Sequence, residues 1–190
     1  MKKKIVITGG LGYIGTELCK LYSGTSWHHK IIVIDNRFIS ERVNQLRNWN
    51  IDFIQGDILD KNLIKKYLKD ADIVHHLAGI TQVPRTKSET SKLQDEKIIE
   101  VGTQGTQNIL DVISDRCKII FPSTHVVYEG IDEVKQGITE DEHTKPVLSY
   151  SSSKALNENQ LQKSGKNYVI LRLGSVYGYS TDSMRIDIMP

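Results

Sequence analysis

Short blocks of apolar residues recur along the chain and alternate with longer segments whose apolar residues follow helical spacing. The blocks predict six strands, over 5–7, 31–35, 51–54, 72–76, 118–121 and 168–173. The segments between them predict helices over 15–22, 40–48, 61–69, 89–114 and 150–163, the second and third capped by Ser40 and Asp60. Strands that alternate with helices in this way indicate an α/β protein with a doubly wound parallel sheet. Ligand loops are then expected at the carboxyl ends of the strands.

The first strand ends in a glycine-rich turn that opens into the first helix. Gly9, Gly12 and Gly15 follow one another at three-residue intervals. Gly9 permits a sharp turn, Gly12 lets a pyrophosphate approach the backbone, and Gly15 allows the helix to pack closely on the sheet. The free N–H groups and the dipole at the helix start also favour a phosphate. The pattern predicts a dinucleotide site, and a plain tight turn between strand and helix is the alternative interpretation.

Asp35 ends the second predicted strand, 20 residues after Gly15. A carboxylate at this place can accept hydrogen bonds from the ribose hydroxyls of adenosine. Because the same charge would repel a 2′-phosphate, NAD is the expected cofactor rather than NADP. Arg37 weakens this preference, since a nearby guanidinium could neutralise such a phosphate.

Composition narrows the classes of function. The chain has 190 residues, of which 38% are hydrophobic and 25% charged, with a net charge of +2. One globular domain is expected, without a dedicated nucleic-acid surface. No apolar segment approaches the ~20 residues that span a bilayer, and the apolar run after the lysines at 2–4 is too short for a signal peptide. Cys19 and Cys117 are isolated and are predicted to be buried thiols in a reducing, cytoplasmic compartment, and the six histidines form no metal-ligand cluster.

Three further residues suggest redox chemistry on an alcohol. Tyr150 and Lys154 are separated by four positions, which places them on one face of a helix, and Thr124 follows the fifth predicted strand. A neighbouring ammonium stabilises a phenolate and lowers the pKa of tyrosine from ~10. Thr124 can donate a hydrogen bond to the reacting oxygen. The set predicts deprotonation of an alcohol while NAD oxidises it, although a tyrosine and a lysine at this spacing are also common by chance.

These segments together resemble a known family, the extended short-chain dehydrogenase/reductases, and within it the NAD-dependent epimerase/dehydratase group that acts on nucleotide sugars. The resemblance extends over nearly the whole chain and implies a Rossmann fold. The matching segments are Thr8-Gly9-Gly10-Leu11-Gly12-Tyr13-Ile14-Gly15, Asp35-Asn36, Gly56-Asp57-Ile58, His76-Leu77-Ala78-Gly79, Pro122-Ser123-Thr124-His125-Val126-Val127-Tyr128, Tyr150-Ser151-Ser152-Ser153-Lys154 and Leu171-Arg172-Leu173-Gly174-Ser175-Val176-Tyr177-Gly178.

The resemblance also implies a role for individual positions. Thr124, Tyr150 and Lys154 are expected to be catalytic. Asp57 and the backbone group that follows it are expected to hold adenine. The expected cofactor-binding residues are Gly9, Gly12, Tyr13, Ile14, Gly15, Asp35, Asn36, Asp57, Ile58, Leu77, Ala78, Gly79, Tyr150 and Lys154.

At four positions the sequence departs from the pattern that the resemblance leads us to expect. Gly79 stands where a second alanine is more usual, Glu129 where glycine is usual, and Ser175 where asparagine is usual. Gly102 replaces an asparagine that supports the lysine through water in many members. This last departure leaves the proton relay around Lys154 open.

The residues after Thr124 indicate the type of reaction. By resemblance, the 4,6-dehydratases carry Asp and Glu there as an acid and a base, whereas this chain has His125 and Val126. The decarboxylating relatives also have Glu at the place of Val126. A 4-epimerase needs no such pair: it oxidises C4 with Tyr150 and NAD, rotates the keto sugar and reduces it from the other face. The resemblance therefore implies an NAD-dependent nucleotide-sugar 4-epimerase as the expected function. His125 is either a further acid or a solvent-facing loop residue.

Members of the family continue beyond the point that corresponds to residue 190. We therefore expect 1–190 to be the NAD-binding domain of a longer protein, with most of the substrate domain beyond 190. Candidate cleft residues are Thr81, Gln82, Arg85 and Tyr177, although solvated loop roles are at least as plausible for the first three. The resemblance further implies a nucleotide-sugar substrate and a homodimer formed through the helices near 89–114 and 150–163.

Two other functions stay open at this point. One is an NAD(P)-dependent reductase of a non-sugar carbonyl compound, against which Asp35 argues in the NADP-dependent case. The other is a non-catalytic NAD-binding module, against which Thr124, Tyr150 and Lys154 argue.

Overall fold

A six-stranded parallel sheet forms the centre of the molecule. The structure, a computed structural model, describes residues 2–81, 91–131 and 136–178. Within these residues the sheet order is β3-β2-β1-β4-β5-β6. The strands are β1 (Lys4–Thr8), β2 (Lys30–Asp35), β3 (Asp52–Gln55), β4 (Ile73–His76), β5 (Lys118–Thr124) and β6 (Asn167–Leu173). The predicted doubly wound α/β sheet is confirmed, and its order reverses between β1 and β4, where such sheets open a crevice for ligands.

Five α-helices flank the sheet in the described part of the chain. They are α1 (Tyr13–Ser23), α2 (Ser40–Asn48), α3 (Lys61–Leu68), α4 (Lys92–Leu110) and α5 (Ser149–Lys163). The predicted cap of α3 is confirmed, because the Asp60 carboxylate accepts hydrogen bonds from the backbone N–H groups of Asn62 and Leu63. The predicted start of α4 at 89 lies outside the described residues. Ser91 caps the helix, and its hydroxyl accepts a hydrogen bond from Gln94 N–H.

The prediction that Ser40 caps α2 is wrong. Ile39 is the N-cap, Ser40 is the first helical residue, and no side chain caps the helix. The Ile39 carbonyl accepts the first helical hydrogen bond, from Val43 N–H at 2.9 Å. Ile39 also packs against the core cluster beneath α2. The packing of this partly buried side chain offers a physical reason why the helix begins here without a hydroxyl cap worth about 1 kcal/mol.

Both faces of the sheet are covered by apolar side chains. Val6 belongs to the cluster under α3, α4 and α5, whereas Ile5 and Ile7 belong to the cluster under α1 and α2. All three are at most 2% exposed, as a strand buried on both faces requires. The two predicted buried thiols are confirmed: burial raises the pKa of Cys19 to about 12 and that of Cys117 to about 11.

Two boundaries bear on the site. β5 continues past the predicted end at 121, so Thr124 is the last residue of the strand and not part of the following loop. A short 3₁₀ turn, His125–Tyr128, follows it directly.

Among the helices of the described ranges, none has the length and apolar character that a bilayer crossing needs.

Candidate active site

The glycine-rich turn after β1 forms a cradle at the point where the sheet order reverses. Gly9 has φ +72°, in the left-handed region that glycine favours, and a Cβ there would lie 2.6 Å from Ala78 N. Its N–H donates a 2.7 Å hydrogen bond to the Ile34 carbonyl. Gly9 thus turns the chain sharply between the ends of β2 and β4.

Gly12 and Gly15 close the cradle on the helix side. A Cβ on Gly15 would lie 2.5 Å from the Gly9 carbonyl oxygen, so this glycine packs the start of α1 against the turn itself. Gly12 is the N-cap of α1, which has neither a side-chain cap nor an acidic residue in its first turn. The start of the helix therefore keeps its N–H groups and its positive dipole end for an anion. This backbone cradle fits a diphosphate.

Asp35 binds the glycine turn to the end of β2. Its carboxylate is 5% exposed, and one oxygen accepts a 3.0 Å hydrogen bond from Leu11 N–H. The other oxygen accepts hydrogen bonds from the N–H of Arg37 at 3.0 Å and from its Nε at 3.3 Å. Arg37 is therefore paired with the carboxylate that was predicted to select NAD. The predicted contact of Asp35 with ribose remains a prediction.

The other residues expected at the adenosine end of the cofactor follow two neighbouring strands, β2 and β3. Asn36 Nδ2 donates to the Asp57 carboxylate at 3.2 Å, and the other oxygen of Asp57 accepts from Leu59 N–H at 2.9 Å. Ile58 is buried in the core and fills the space over Gly105 of α4, where a Cβ would clash with it. The structure thus brings Asn36, expected near the ribose, next to Asp57, expected at adenine, and both roles remain predictions.

The segment after β4 lines the opposite side of the crevice. Ala78 N–H donates to the Thr8 hydroxyl at 3.3 Å, and Leu77 packs against the core cluster beneath α1. No described atom lies within 4 Å of a Cβ built on Gly79, so the alanine that the resemblance leads us to expect would fit there. Tyr13, at the start of α1, donates its hydroxyl to the Gly178 carbonyl at 2.8 Å, and Ile14 beside it is half-buried.

A buried histidine connects this crevice to α4. His76 Nδ1 lies 2.9 Å from the Thr8 hydroxyl, and Nε2 lies 3.0 Å from the Thr106 hydroxyl. Burial lowers the pKa of His76 to about 3, with a smaller contribution from the charge of Lys154, so the ring is neutral at pH 7. The sequence interpretation assigned His76 no role. Two adjacent histidines at the end of a buried strand were the signal available.

The three predicted catalytic residues lie at the ends of two adjoining elements. Thr124 ends β5, is 8% exposed, and accepts a 3.3 Å hydrogen bond from Val126 N–H. Tyr150 is the second residue of α5, and Lys154 lies one turn further along. The Lys154 Nζ atom is 5.9 Å from the centre of the Tyr150 ring. The shared helix face of the tyrosine and the lysine is thus observed.

The side chain of Lys154 extends from α5 to β5. Its Nζ donates a 2.8 Å hydrogen bond to the Pro122 carbonyl and lies 4.4 Å from the centre of the Phe121 ring. Burial lowers the pKa of Lys154 to about 8, and the charge of Glu158 opposes this shift. The lysine is thus held by β5, two residues before Thr124. The catalytic roles of the three residues remain predictions.

Gly102 does not contribute a side chain to the lysine and instead lets α4 approach α5. A Cβ at Gly102 would clash with the Ser153 hydroxyl oxygen. Asn157 of α5 donates to the Gly102 carbonyl at 3.0 Å. An asparagine side chain therefore does lie at this contact, but α5 supplies it and not α4.

A buried ion pair that the sequence interpretation missed fastens α5 to the sheet. The Glu158 carboxylate accepts hydrogen bonds from Arg172 of β6, at 3.1 Å from Nε and 2.7 Å from Nη2. Ser123 of β5 donates its hydroxyl to the same carboxylate. Glu158 follows Lys154 by four positions, and Arg172 interrupts an apolar strand. These were the available signals.

The other residues predicted from the sequence for the reaction or the substrate cleft are exposed where the structure describes them. His125 is exposed, and its Nδ1 lies 3.2 Å from the Leu173 carbonyl. Because a carbonyl only accepts, Nδ1 carries the proton and Nε2 is an acceptor in the neutral ring. Thr81 is exposed and Tyr177 is 77% exposed. The predicted cleft residues Gln82 and Arg85 lie outside the described residues.

Comparisons with known proteins agree with this geometry. Residues 5–189 match the family described as NAD dependent epimerase/dehydratase. The chain is 30% identical over 197 residues to dTDP-D-glucose 4,6-dehydratase of Dictyostelium discoideum, covering 93% of this chain and 44% of that protein. It is 34% identical over 153 residues to CDP-paratose 2-epimerase of Salmonella typhi, covering 74% and 42%.

A solved structure shares the fold. UDP-glucuronic acid 4-epimerase from Bacillus cereus, in complex with UDP-glucuronic acid and NAD, superposes with a TM-score of 0.74 at 27% identity. The match covers 94% of this chain and 59% of that one. The chain thus spans about half the length of the relatives named here.

The family match extends over nearly the whole chain and agrees with the sheet order and the glycine cradle. The expected resemblance and the Rossmann fold are therefore confirmed, and so is NAD as the cofactor of the family. This chain belongs to the NAD-dependent epimerase/dehydratase family.

Proposed function

We propose that the protein is an NAD-dependent nucleotide-sugar epimerase that inverts C4 of its sugar by oxidation and re-reduction. The observation that carries the proposal is the position of Lys154. Its ammonium lies 5.9 Å from the Tyr150 ring and is bonded to β5 two residues before Thr124. In this position one ammonium can stabilise the phenolate of Tyr150 while its hydrogen bond holds it next to the end of β5.

The cofactor would be held by the glycine cradle and its surroundings. Gly9, Gly12 and Gly15 let the turn close tightly, because a Cβ at each would meet backbone atoms of the turn, of Leu77 or of Ala78, and the backbone N–H groups of this turn would hold the diphosphate. Asp35, Asn36 and Asp57 stand at the adenosine end. When bound, NAD supplies the reversible oxidation of the sugar carbon.

Acid–base chemistry falls to the side chains of α5 and β5. The Tyr150 phenolate takes the proton of the C4 hydroxyl and later returns it to the keto oxygen. The Lys154 ammonium favours the phenolate electrostatically. Thr124 donates a hydrogen bond to the same sugar oxygen, which fixes its distance from the phenol.

Val126 favours epimerisation over loss of water. Elimination needs an acid and a base beyond the tyrosine, and the valine side chain at the position of the dehydratase glutamate has no proton to exchange. The named relatives include both a dehydratase and an epimerase. The residues of this chain supply the groups that epimerisation requires and lack the glutamate.

The test is product analysis with the full-length protein. Wild type and Tyr150→Phe are incubated with NAD and, in turn, UDP-, GDP-, CDP- and dTDP-sugars, and the products are identified by NMR. We expect an equilibrium between two C4 epimers, with loss of at least about 100-fold in the variant. Only dehydrated or decarboxylated products would overturn the proposal. NAD binding that Tyr150→Phe leaves unchanged, with no product from any sugar in wild type, would favour a non-catalytic NAD-binding module.

Cofactor choice separates the proposal from a carbonyl reductase. We expect NADH to bind more tightly than NADPH, since the Asp35 carboxylate faces the adenosine end, and we expect Arg37→Ala to widen the difference. Tighter binding of NADPH would favour the reductase. A cytoplasmic homodimer formed through α4 and α5 is the remaining part of the proposal, and sedimentation tests the dimer.

A further inference from the structure

The carboxylate of Glu129 binds the start of α5. Its Oε1 atom accepts hydrogen bonds from the backbone N–H groups of Val147 and Leu148, both at 2.7 Å. The Ser151 hydroxyl donates to the same oxygen. Leu148 is the N-cap of α5 and has an apolar side chain, and its N–H lies 3.2 Å from the Ser151 hydroxyl oxygen of the helix itself. Glu129 adds a charged acceptor for the same N–H from about twenty residues upstream.

Glu129 also belongs to the turn that begins at Thr124. Thr124 is the N-cap of the 3₁₀ turn His125–Tyr128, and Glu129 is its C-cap. The backbone N–H of Glu129 donates a 3.1 Å hydrogen bond to the Val126 carbonyl. The side chain of Glu129 therefore reaches from the turn that follows β5 to the helix that carries Tyr150.

The backbones of these two segments run side by side at this place. Lys145 N–H donates to the Val127 carbonyl at 2.8 Å, and Gly130 N–H donates to the Lys145 carbonyl at 2.9 Å. A Cβ on Gly130 would lie 2.5 Å from the Lys145 carbonyl oxygen, which shows how closely the segments approach. The Glu129 carboxylate extends this pairing onto the first turn of α5.

We infer that Glu129 is a positioning residue that fixes the phenol of Tyr150 relative to the hydroxyl of Thr124. The inference rests on the proposed function in so far as these two groups act on one sugar oxygen. They are 26 residues apart in the sequence and lie on separate elements, so their separation depends on contacts between those elements. Tyr150 directly precedes Ser151, one of the three donors to Glu129.

Two further contacts in the first two turns of α5 fix other parts of the helix. Ser149 donates its hydroxyl to Asp95, which joins the helix to α4 and not to the Thr124 turn. Lys154 is bonded to β5 one turn further along the helix. Glu129 ties the first turn of α5 to the segment that starts at Thr124.

Charge strengthens the clamp. A carboxylate at the N-terminus of a helix interacts favourably with the helix dipole, and hydrogen bonds from N–H and O–H groups to a charged acceptor are stronger than those to a neutral one. The pKa of Glu129 lies below its ordinary value, since the bonds from Ser151, Leu148 and Val147 outweigh the effect of burial. The carboxylate of this exposed residue is therefore ionised at neutral pH.

Three substitutions test the inference in the full-length protein. Glu129→Ala removes the acceptor, Glu129→Gln keeps an acceptor oxygen of the same reach, and Glu17→Ala removes an exposed carboxylate of α1 as the matched control. We expect Glu129→Ala to lower kcat by about 10- to 100-fold with little change in KM, because the reacting groups are misplaced while the sugar contacts remain. Glu129→Gln is expected to recover most of that loss, and Glu17→Ala to match wild type.

Two measurements need no substrate and decide the inference even where Tyr150→Phe shows the proposed function to be wrong. We expect amide hydrogen exchange at 147–151 to become at least about tenfold faster in Glu129→Ala and to stay near wild type in Glu129→Gln. The ¹³C signal of the Tyr150 phenol carbon, identified by its loss in Tyr150→Phe, should shift in the alanine variant alone.

An unchanged exchange rate and phenol signal in Glu129→Ala would overturn the inference, as would a wild-type kcat in that variant. So would a glutamine variant as impaired as the alanine one, because an acceptor oxygen would then not be what matters. If Glu129→Ala does not fold, Ser151→Ala removes one donor and should give a smaller change of the same kind. A Ser151→Ala variant identical to wild type in both signals then overturns the inference.

Discussion

The Nζ atom of Lys154 donates a hydrogen bond of 2.8 Å to the carbonyl oxygen of Pro122. This bond ties the side chain expected to assist Tyr150 to the strand that ends in Thr124. The ammonium also lies over the Phe121 ring, and its burial lowers the pKa to about 8. A lysine held in this way keeps one position relative to both elements.

Replacing Lys154 with methionine should remove the charge while keeping most of the buried stem. We expect kcat of the full-length protein to fall by at least about 100-fold, because the phenolate of Tyr150 loses its neighbouring cation. Lys163→Met, at the exposed end of the same helix, is the control and should match wild type. Steady-state kinetics with the sugar identified by the substrate panel measures the effect, and a change under about threefold would contradict the role of Lys154.

Gly9 and Gly79 form a matched pair for substitution by alanine. At Gly9 a Cβ would meet the backbone of Ala78 at a φ of +72°, whereas at Gly79 it would meet no described atom within 4 Å. We expect Gly9→Ala to lower the free energy of unfolding by about 1–3 kcal/mol or more and to weaken NAD binding at least about tenfold. Gly79→Ala should change neither quantity.

Urea unfolding and calorimetric titration with NAD measure the two effects. Equal NAD affinities for the Gly9→Ala and Gly79→Ala variants would show that the turn after β1 does not depend on glycine at position 9. It would also remove the main support for a diphosphate in this cradle.

The glycine spacing, the strand blocks and Asp60 could be interpreted from the sequence because each depends on neighbours within a few positions. Asp60 caps the helix that begins directly after it. Gly9 was recognised by its place between a strand and a helix, and the structure adds that Ala78 is the residue it approaches.

The contacts that the sequence did not predict join residues far apart in the chain. His76 bridges Thr8 and Thr106, and Glu129 reaches Leu148. No local periodicity indicates such partners, since they meet only once the sheet order and the helix positions are set. Ser40 was wrongly predicted as an N-cap from its local capping propensity. The structure has Ile39 at that position, where its side chain packs against the core.

His76 should make the fold sensitive to acid. Its pKa is about 3 in the folded protein and 6.5 in the unfolded chain, and the nearby Lys154 charge shifts it in the same direction as burial. Between these values the unfolded state binds a proton that the folded state excludes. The contribution of His76 to the free energy of unfolding should therefore be at its maximum above pH 6.5 and should decrease as the pH falls towards 3.

Unfolding by urea at several pH values, with His76→Gln beside wild type, measures this contribution. Glutamine can donate and accept hydrogen bonds but does not titrate, so the variant should show a flatter decrease between pH 6.5 and 4. His75→Gln serves as a comparison, because burial lowers the pKa of His75 to about 4 and acts in the same direction. A slope equal to that of wild type in His76→Gln would show that this imidazole is not excluded from protonation.

Glu158 and Arg172 form a buried pair, with side chains that are 4% and 14% exposed. Removing one partner leaves the other charge largely buried without its hydrogen-bonded counter-ion. We expect Arg172→Met to lower the free energy of unfolding by about 3–5 kcal/mol, since the Glu158 carboxylate then keeps the hydroxyl of Ser123 but loses the bidentate guanidinium. Glu158→Gln should have a smaller effect, because the amide oxygen can still accept from the guanidinium.

The double variant measures the interaction energy between Glu158 and Arg172 apart from the effect of each single substitution. In Glu158→Gln with Arg172→Met no charge is buried, so its loss of stability should be smaller than the sum of the two single losses, by at least about 1 kcal/mol. Asp115→Asn, which breaks the exposed pair with Lys166, should cause a much smaller change and controls for surface charge. Additive losses in urea unfolding would mean that Glu158 and Arg172 stabilise α5 through separate contacts, and α5 would then not depend on this ion pair for its place on the sheet.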